Sequence, residues 1–329
     1  MTEQSSEFQN QDFASFPPAI VLMGPTASGK SGIALEIARN LPVEIVSVDS
    51  AQVYRHMDIG TAKPDTQSMA AVPHHLINLI EPHERYSAAQ FVSDALVAMR
   101  EITERGNIPL LAGGTMLYFR ALLEGLSELP SADASLRMLI ETRAQESGWP
   151  ALHNELLQLD PVSAARIQPT DSQRIQRALE VCYLAGKPMS EILKKPRHSN
   201  LPYHVIRVTL APGDREVLHQ RIAQRFEKML ELGLIDEVRA IRDKFCLNDK
   251  SPSMRCVGYR QVWMYLDNEI SLGKMRDMAL AATRQLAKRQ LTWLRPMEGV
   301  KKFDCLMENL PEHVWKYLRS TGLKAALVS

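Results

Sequence analysis

Cysteine is sparse in this 329-residue chain, and its four copies, Cys182, Cys246, Cys256 and Cys305, stand far apart with no C-x-x-C pair. That spacing argues against a disulfide framework and against a zinc site; a cytoplasmic protein is expected. No apolar run approaches the ~20 residues needed to span a bilayer, so no membrane partner is expected. Residues 1–16 contain no apolar h-region; polar and acidic-leaning, they are expected to form a disordered leader rather than a signal peptide. An excess of charge is missing too, since 39 Lys and Arg against 38 Asp and Glu leave a net charge of +1. A polyanionic partner would therefore have to meet a local basic patch rather than a bulk field. The chain has neither an internal repeat nor a low-complexity tract, and without an obvious exposed apolar patch the expectation is a monomer.

What is present is most informative at Gly24-Pro25-Thr26-Ala27-Ser28-Gly29-Lys30-Ser31. This octapeptide matches the P-loop pattern at every fixed position. The apolar run Ala19 to Met23 reads as the strand before it, and Ile33 to Ala38 as the helix after it. Glycines let successive backbone N–H groups curl inward on a polyphosphate, and the helix N-terminus and Lys30 add positive charge. Ser31 stands where a hydroxyl would ligate Mg²⁺ held by the same phosphates. A P-loop specifies a ligand group and leaves the reaction open, because kinases, NTPases and diphosphate-dependent transferases all carry it.

The first third alternates strand-like and helix-like segments, with Val43 to Val48 and Ile108 to Ala112 as strands, His75 to Ile80 as a further apolar run, and Ala88 to Arg105 as an amphipathic helix. This order predicts an α/β fold with a parallel sheet flanked by helices. From Asp133 to Lys195 only helical periodicity is found, including a helix from Ser172 capped by Asp171 and closed by Gly186. After the polar stretch Lys195 to Pro202, Tyr203 to Leu210 alternates as a strand again, and the rest reads as mostly helical. The expected organisation is a P-loop core over 17–128 and 203–315, interrupted by an all-helical insertion over 129–202.

Asp49-Ser50-Ala51-Gln52 ends the second strand, at the sheet edge where doubly wound folds bind ligands. Asp49 could hold Mg²⁺, act as a general base, or cap the following turn; the pattern does not choose. Gly113-Gly114-Thr115 reaches the same edge. Three basic elements stand out: Gln173-Arg174-Ile175-Gln176-Arg177 on the inserted helix, Arg255-Cys256-Val257-Gly258-Tyr259-Arg260, and a late helix with Arg284, Lys288 and Arg295 on one face and Arg289 beside them. Each could equally be a solvated surface face. Guanidiniums interleaved with an aromatic suit phosphate contact and base stacking.

These segments together resemble the bacterial tRNA dimethylallyltransferases. The resemblance runs in order and spacing from about residue 18 to about 296. It also takes in Val53-Tyr54-Arg55, Asp58-Ile59-Gly60-Thr61-Ala62-Lys63-Pro64, Met116-Leu117-Tyr118, Arg225 with Gly233-Leu234, and Lys288-Arg289-Gln290-Leu291-Thr292-Trp293-Leu294-Arg295. It implies transfer of a dimethylallyl group from dimethylallyl diphosphate to N6 of adenine 37, beside the anticodon of tRNAs reading codons that begin with U. By that resemblance Asp49 is the base, Thr115 lies near the reacting groups, and Arg225 and Thr26 join the P-loop on the diphosphate with Mg²⁺. Asp49 to Gln52, Gln173 to Arg177, Arg255 to Arg260, and Lys288, Arg289 and Arg295 become contacts to the anticodon stem-loop. Three rivals share parts of the pattern: a P-loop small-molecule kinase, an adenylate isopentenyltransferase acting on AMP, and a nucleotide-gated RNA-binding protein without covalent chemistry.

Overall fold

The computed structural model describes residues 16–195, 199, 201–249 and 251–323. The expected leader, apart from Phe16, and Pro196, Arg197, His198 and Asn200 of the polar stretch lie outside the described residues. The chain forms two compact units: one comprises the chain up to Ala121 and from Leu201 onward, the other Leu122–Asn200.

The first unit is built on six strands: β1 (Pro18–Met23), β2 (Val43–Val48), β3 (His74–His75), β4 (Ile108–Gly113), β5 (His204–Ala211) and β6 (Lys301–Asp304). Their order is β3-β2-β4-β1-β5-β6, and every pairing is parallel. All six residues of β2 are buried, as a parallel strand covered on both faces requires. One side of the sheet packs Ile20, Leu22, Val208 and Leu210 against Ile33 and Ile37 of the helix Lys30–Asn40 and against Val314 and Leu318 of the helix Leu310–Ser320. The packed core thus reaches past residue 315. A separate helical core gathers Phe226, Leu234, Val238, Tyr259, Val262 and Met275 around Val53, Tyr54 and Met57.

Two elements differ from the sequence expectation. Of the apolar run His75 to Ile80 only His75 pairs in the sheet, in the two-residue strand His74–His75, because Leu76 and Asn78 take positive φ values of 61° and 58° and turn the chain away. The strand β6 carries no apolar run at all; it is a four-residue, largely exposed edge strand whose existence depends on pairing with β5.

The register places the chemistry. Met23 pairs with Gly113, and Gly113 pairs with Val48, so β1, β2 and β4 end level with one another. Gly24, Asp49 and Gly114 therefore emerge side by side at the carboxyl edge of the sheet. Gly113 has to be glycine, since a Cβ there would lie 2.1 Å from the Val48 carbonyl oxygen.

The second unit holds five helices among its described residues, between Ala134 and Lys194. Ile140, Leu152, Leu156, Ile175, Ala178 and Leu179 form its core. Glu180 is fully buried, yet it accepts from Arg137 at 2.8 Å, Arg177 at 2.5 Å and the Asp133 N–H at 2.8 Å. Those donors hold its carboxyl below the usual range against the opposing effect of burial.

Candidate active site

The P-loop runs from β1 into the helix Lys30–Asn40, with Ala27 and Gly29 in the left-handed region at φ 62° and 82°. For Ala27 that conformation carries a penalty, the kind of local strain found where a backbone is shaped around a ligand. The first N–H groups of the helix have no partner within it, so Lys30, Ser31 and Gly32 present amides at its positive end. The Lys30 ammonium donates to the Pro25 carbonyl at 2.6 Å and lies 3.4 Å from the Ser28 hydroxyl. Burial, and then the neighbouring Arg225 guanidinium, bring the pKa of Lys30 down to about 7, although Asp49 pulls the other way. Arg225, on the helix Arg215–Glu231, is also lowered by burial and held up in part by Asp49. Among the described residues neither Lys30 nor Arg225 has an ion-pair partner. Two basic side chains buried together, with no ion pair of their own among the described residues, mark a place built for an anion.

Asp49 is partly buried. Its Oδ1 accepts from the Ala51 N–H at 2.9 Å, which is the turn-capping role, and among the described residues Oδ2 has no hydrogen bond. Capping and base chemistry are therefore compatible in one side chain. The Thr115 hydroxyl accepts from the Ser50 N–H at 2.9 Å and donates to the Ser50 hydroxyl at 3.3 Å, tying the ends of β2 and β4 together.

Thr26, Lys30, Asp49, Thr115 and Arg225 all line one cavity of about 1380 Å³. Its walls add Tyr54, Tyr118, Ile222, Phe226, Met229 and Trp293, an apolar and aromatic lining beside the cationic end. Burial pushes the Tyr54 phenol up to about 12 and the Cys256 thiol up to about 12, so both stay neutral near pH 7. A smaller cavity of about 480 Å³ on the P-loop is lined by Ala27 to Ser31 with Arg221, Gln224 and Arg225. No group of three or more His, Cys, Asp or Glu able to hold a metal occurs among the described residues. A metal at the P-loop would thus depend on ligand oxygens plus the exposed Ser31 hydroxyl, a donor set suited to Mg²⁺.

Several expected RNA contacts need correction. Ile175 is fully buried in the core of the insertion, because helical periodicity turns it inward between Arg174 and Gln176. Gln176 and Arg177 are only partly exposed; Gln176 donates to the Arg137 carbonyl, and Arg177 to Glu180 and the Pro130 carbonyl. Gln173 and Arg174 are the exposed members of that segment. Tyr259 is fully buried with its hydroxyl on Glu237, so it cannot stack on a base, and Gly258 is buried beside it. Arg255 and Arg260 are exposed, as are Lys288, Arg289 and Arg295. The Gln52 amide is engaged with Ser47 and with the carbonyls of Thr61 and Ala62. The Thr26 amide is directed to Gln290 rather than into the loop.

Two contributors have no role assigned to them in the sequence. The Glu237 carboxylate accepts from the backbone N–H groups of Asp58, Ile59 and Gly60 at 2.8, 2.7 and 3.2 Å, fixing the segment that lines the cavity through Lys63. Gln290, in the helix Leu272–Leu294, joins the P-loop to Gly114. Nothing local marks the second.

The family model described as IPP transferase matches residues 52–297. The chain belongs to the IPP transferase family. A protein of Nitrosospira multiformis named tRNA dimethylallyltransferase is 70% identical over 317 residues, covering 96% of this chain and 98% of its own. One of the same name from Nitrosomonas europaea is 64% identical over 307 residues, covering 93% and 97%. Among solved structures, the tRNA isopentenylpyrophosphate transferase of Bacillus halodurans is similar at 35% identity and TM-score 0.68, covering 94% of this chain and 97% of that one. A eukaryotic dimethylallyltransferase acting on tRNA is similar at 25% identity and TM-score 0.77, covering 93% and 80%. The parallel sheet and its flanking helices are thus the fold of this family. Among the described residues no helix is long and apolar enough to cross a membrane.

Proposed function

We propose that this family member transfers a dimethylallyl group from dimethylallyl diphosphate to N6 of adenine 37 in tRNAs reading codons that begin with U, releasing diphosphate. The observation that carries the chemistry is the buried pair Lys30 and Arg225, without an ion pair among the described residues, lining one cavity with Asp49 and Thr115. An allylic C–O bond ionises more readily as its leaving diphosphate is stabilised, and preorganised amides and cations in a site shielded from water do this most strongly. When bound, Mg²⁺ supplies further neutralisation of the leaving group, with Ser31 as its protein ligand. The adenine amine is a weak nucleophile because its lone pair is delocalised into the ring. Asp49, with its free oxygen, accepts the N6 proton as the new C–N bond forms. The apolar side of the cavity receives the five-carbon chain and keeps water from the allylic cation.

The target base must leave its stack to reach a site at the sheet edge. Exposed Gln173 and Arg174, Arg255 and Arg260, and Lys288, Arg289 and Arg295 are the side chains we assign to the anticodon stem-loop. The helical insertion is assigned the same partner, and the protein acts as a monomer. The decisive test is incubation with radiolabelled dimethylallyl diphosphate and Mg²⁺, with unmodified tRNA in one tube, AMP in another, and ATP hydrolysis followed in parallel. Label in tRNA alone is expected. Label in AMP would identify a free-nucleotide prenyltransferase, and ATP consumption without label would identify a kinase.

A further inference from the structure

Gln290 lies inside the basic segment assigned above to RNA, yet only 8% of its surface is exposed. Its carboxamide makes two bonds of opposite sense. Oε1 accepts from the Thr26 N–H at 2.9 Å, and Nε2 donates to the Gly114 carbonyl at 2.8 Å. A carboxamide offers a donor and an acceptor on one planar group, so neither Glu nor Met can make both bonds at that reach. The partners are 264 and 176 residues away in sequence and belong to the loops that end β1 and β4. Beyond Gly114 the linkage continues, because the Thr115 hydroxyl accepts from Ser50 N–H, next to Asp49.

A hydrogen-bonded path therefore connects the diphosphate loop with the Asp49 turn, and Gln290 is its bridge. We propose that Gln290 is a positioning residue, locking the P-loop to the Gly114–Thr115 loop and so setting the span between the leaving diphosphate and Asp49. This rests on the transferase reading above. Donor carbon, amine and base must meet within a narrow distance, so a shift of about 1 Å between the two loops lowers the rate steeply. An RNA contact is a poor description of a side chain this enclosed. A core filler is a poor one too, since an apolar residue of equal volume would leave the Thr26 N–H and the Gly114 carbonyl without these partners.

The test uses the full-length protein with Gln290→Met, which keeps the volume and loses both bonds, and Gly114→Ala, whose Cβ would lie 2.5 Å from the Gln290 nitrogen and displace the amide without altering it. Steady-state kinetics with each substrate varied are combined with calorimetric binding of inorganic pyrophosphate plus Mg²⁺ and with tRNA binding. Both variants are expected to lose about ten- to a hundredfold in kcat/KM for dimethylallyl diphosphate, the scale of two buried hydrogen bonds, and to bind pyrophosphate more weakly. Their KM for tRNA should stay within about twofold of wild type, which a general loosening of the fold would not allow. If one variant fails to fold, the other carries the test. Unchanged transfer and pyrophosphate affinity in a folded variant would overturn the proposal, as would a loss confined to KM for tRNA. A wild type that transfers no label refutes the transferase reading instead; in that event pyrophosphate affinity still decides whether Gln290 holds the loop.

Discussion

Diphosphate binding should take up a proton at Lys30, and the structure fixes both sign and window. Burial and the Arg225 charge hold Lys30 near 7 against an ordinary 10.5. In the free protein at pH 8 the side chain is therefore largely neutral. A diphosphate beside it brings negative charge, which favours the ammonium and returns the pKa toward or above its ordinary value. Between pH 7 and 10 the complex thus holds more protons than the free protein, and binding should draw most of one proton at pH 8. The Lys30 contribution to affinity is accordingly fully present below pH 7 and is lost as pH rises, on top of the ligand's own ionisation. Titration calorimetry with inorganic pyrophosphate in Hepes and in Tris, whose ionisation enthalpies differ, measures the uptake. Lys30→Arg, charged throughout this range, serves as the reference for the ligand's own ionisation. Equal uptake by wild type and Lys30→Arg at pH 8 would refute the reasoning, because Lys30 would then be charged before the ligand arrives.

Asp49→Ala is expected to lose about 10²–10⁴ in transfer rate while keeping its affinity for tRNA, measured by single-turnover kinetics and filter binding; undiminished turnover would remove it as the base. The six exposed cations Arg174, Arg255, Arg260, Lys288, Arg289 and Arg295, if all meet loop phosphates, predict a slope of about −4 for log K against log salt. A flat response would leave those side chains without the assigned role. Glu237→Gln keeps the shape but removes the charge from three backbone hydrogen bonds, and should lower stability to urea by about 2 kcal/mol. Glu44, buried with Arg105, Asn107 and His75, is held down to about 2 by the Arg105 hydrogen bonds first, outweighing burial. Its contribution is complete above about pH 4.5 and is lost as pH falls toward 2, so the stability gap between wild type and Glu44→Gln, about 3 kcal/mol near neutrality, should close over that interval in acid denaturation.

What is local can be read along the chain. The P-loop needs only eight consecutive residues, a strand before and a helix after, so Gly24 to Ser31 could be read directly. The Asp171 cap and the Gly186 stop could be read too, as could the parallel sheet implied by alternating elements. Whatever depends on residues meeting from far apart follows from the fold instead. Arg177 has the composition of an RNA contact, but the buried Glu180 three residues on, joined by Arg137, claims it for the insertion. Tyr259 and Ile175 have the composition or the place of contacts and are buried, because which face of a helix turns inward is settled by what packs on it. The strand β6 has no apolar signal and forms only where β5 offers an open edge. Gln290 reads as one polar residue among basic neighbours until the fold brings Thr26 and Gly114 to either end of its amide. The choice of partner for a hydrogen bond is made by geometry in three dimensions, and no spacing along the chain encodes it.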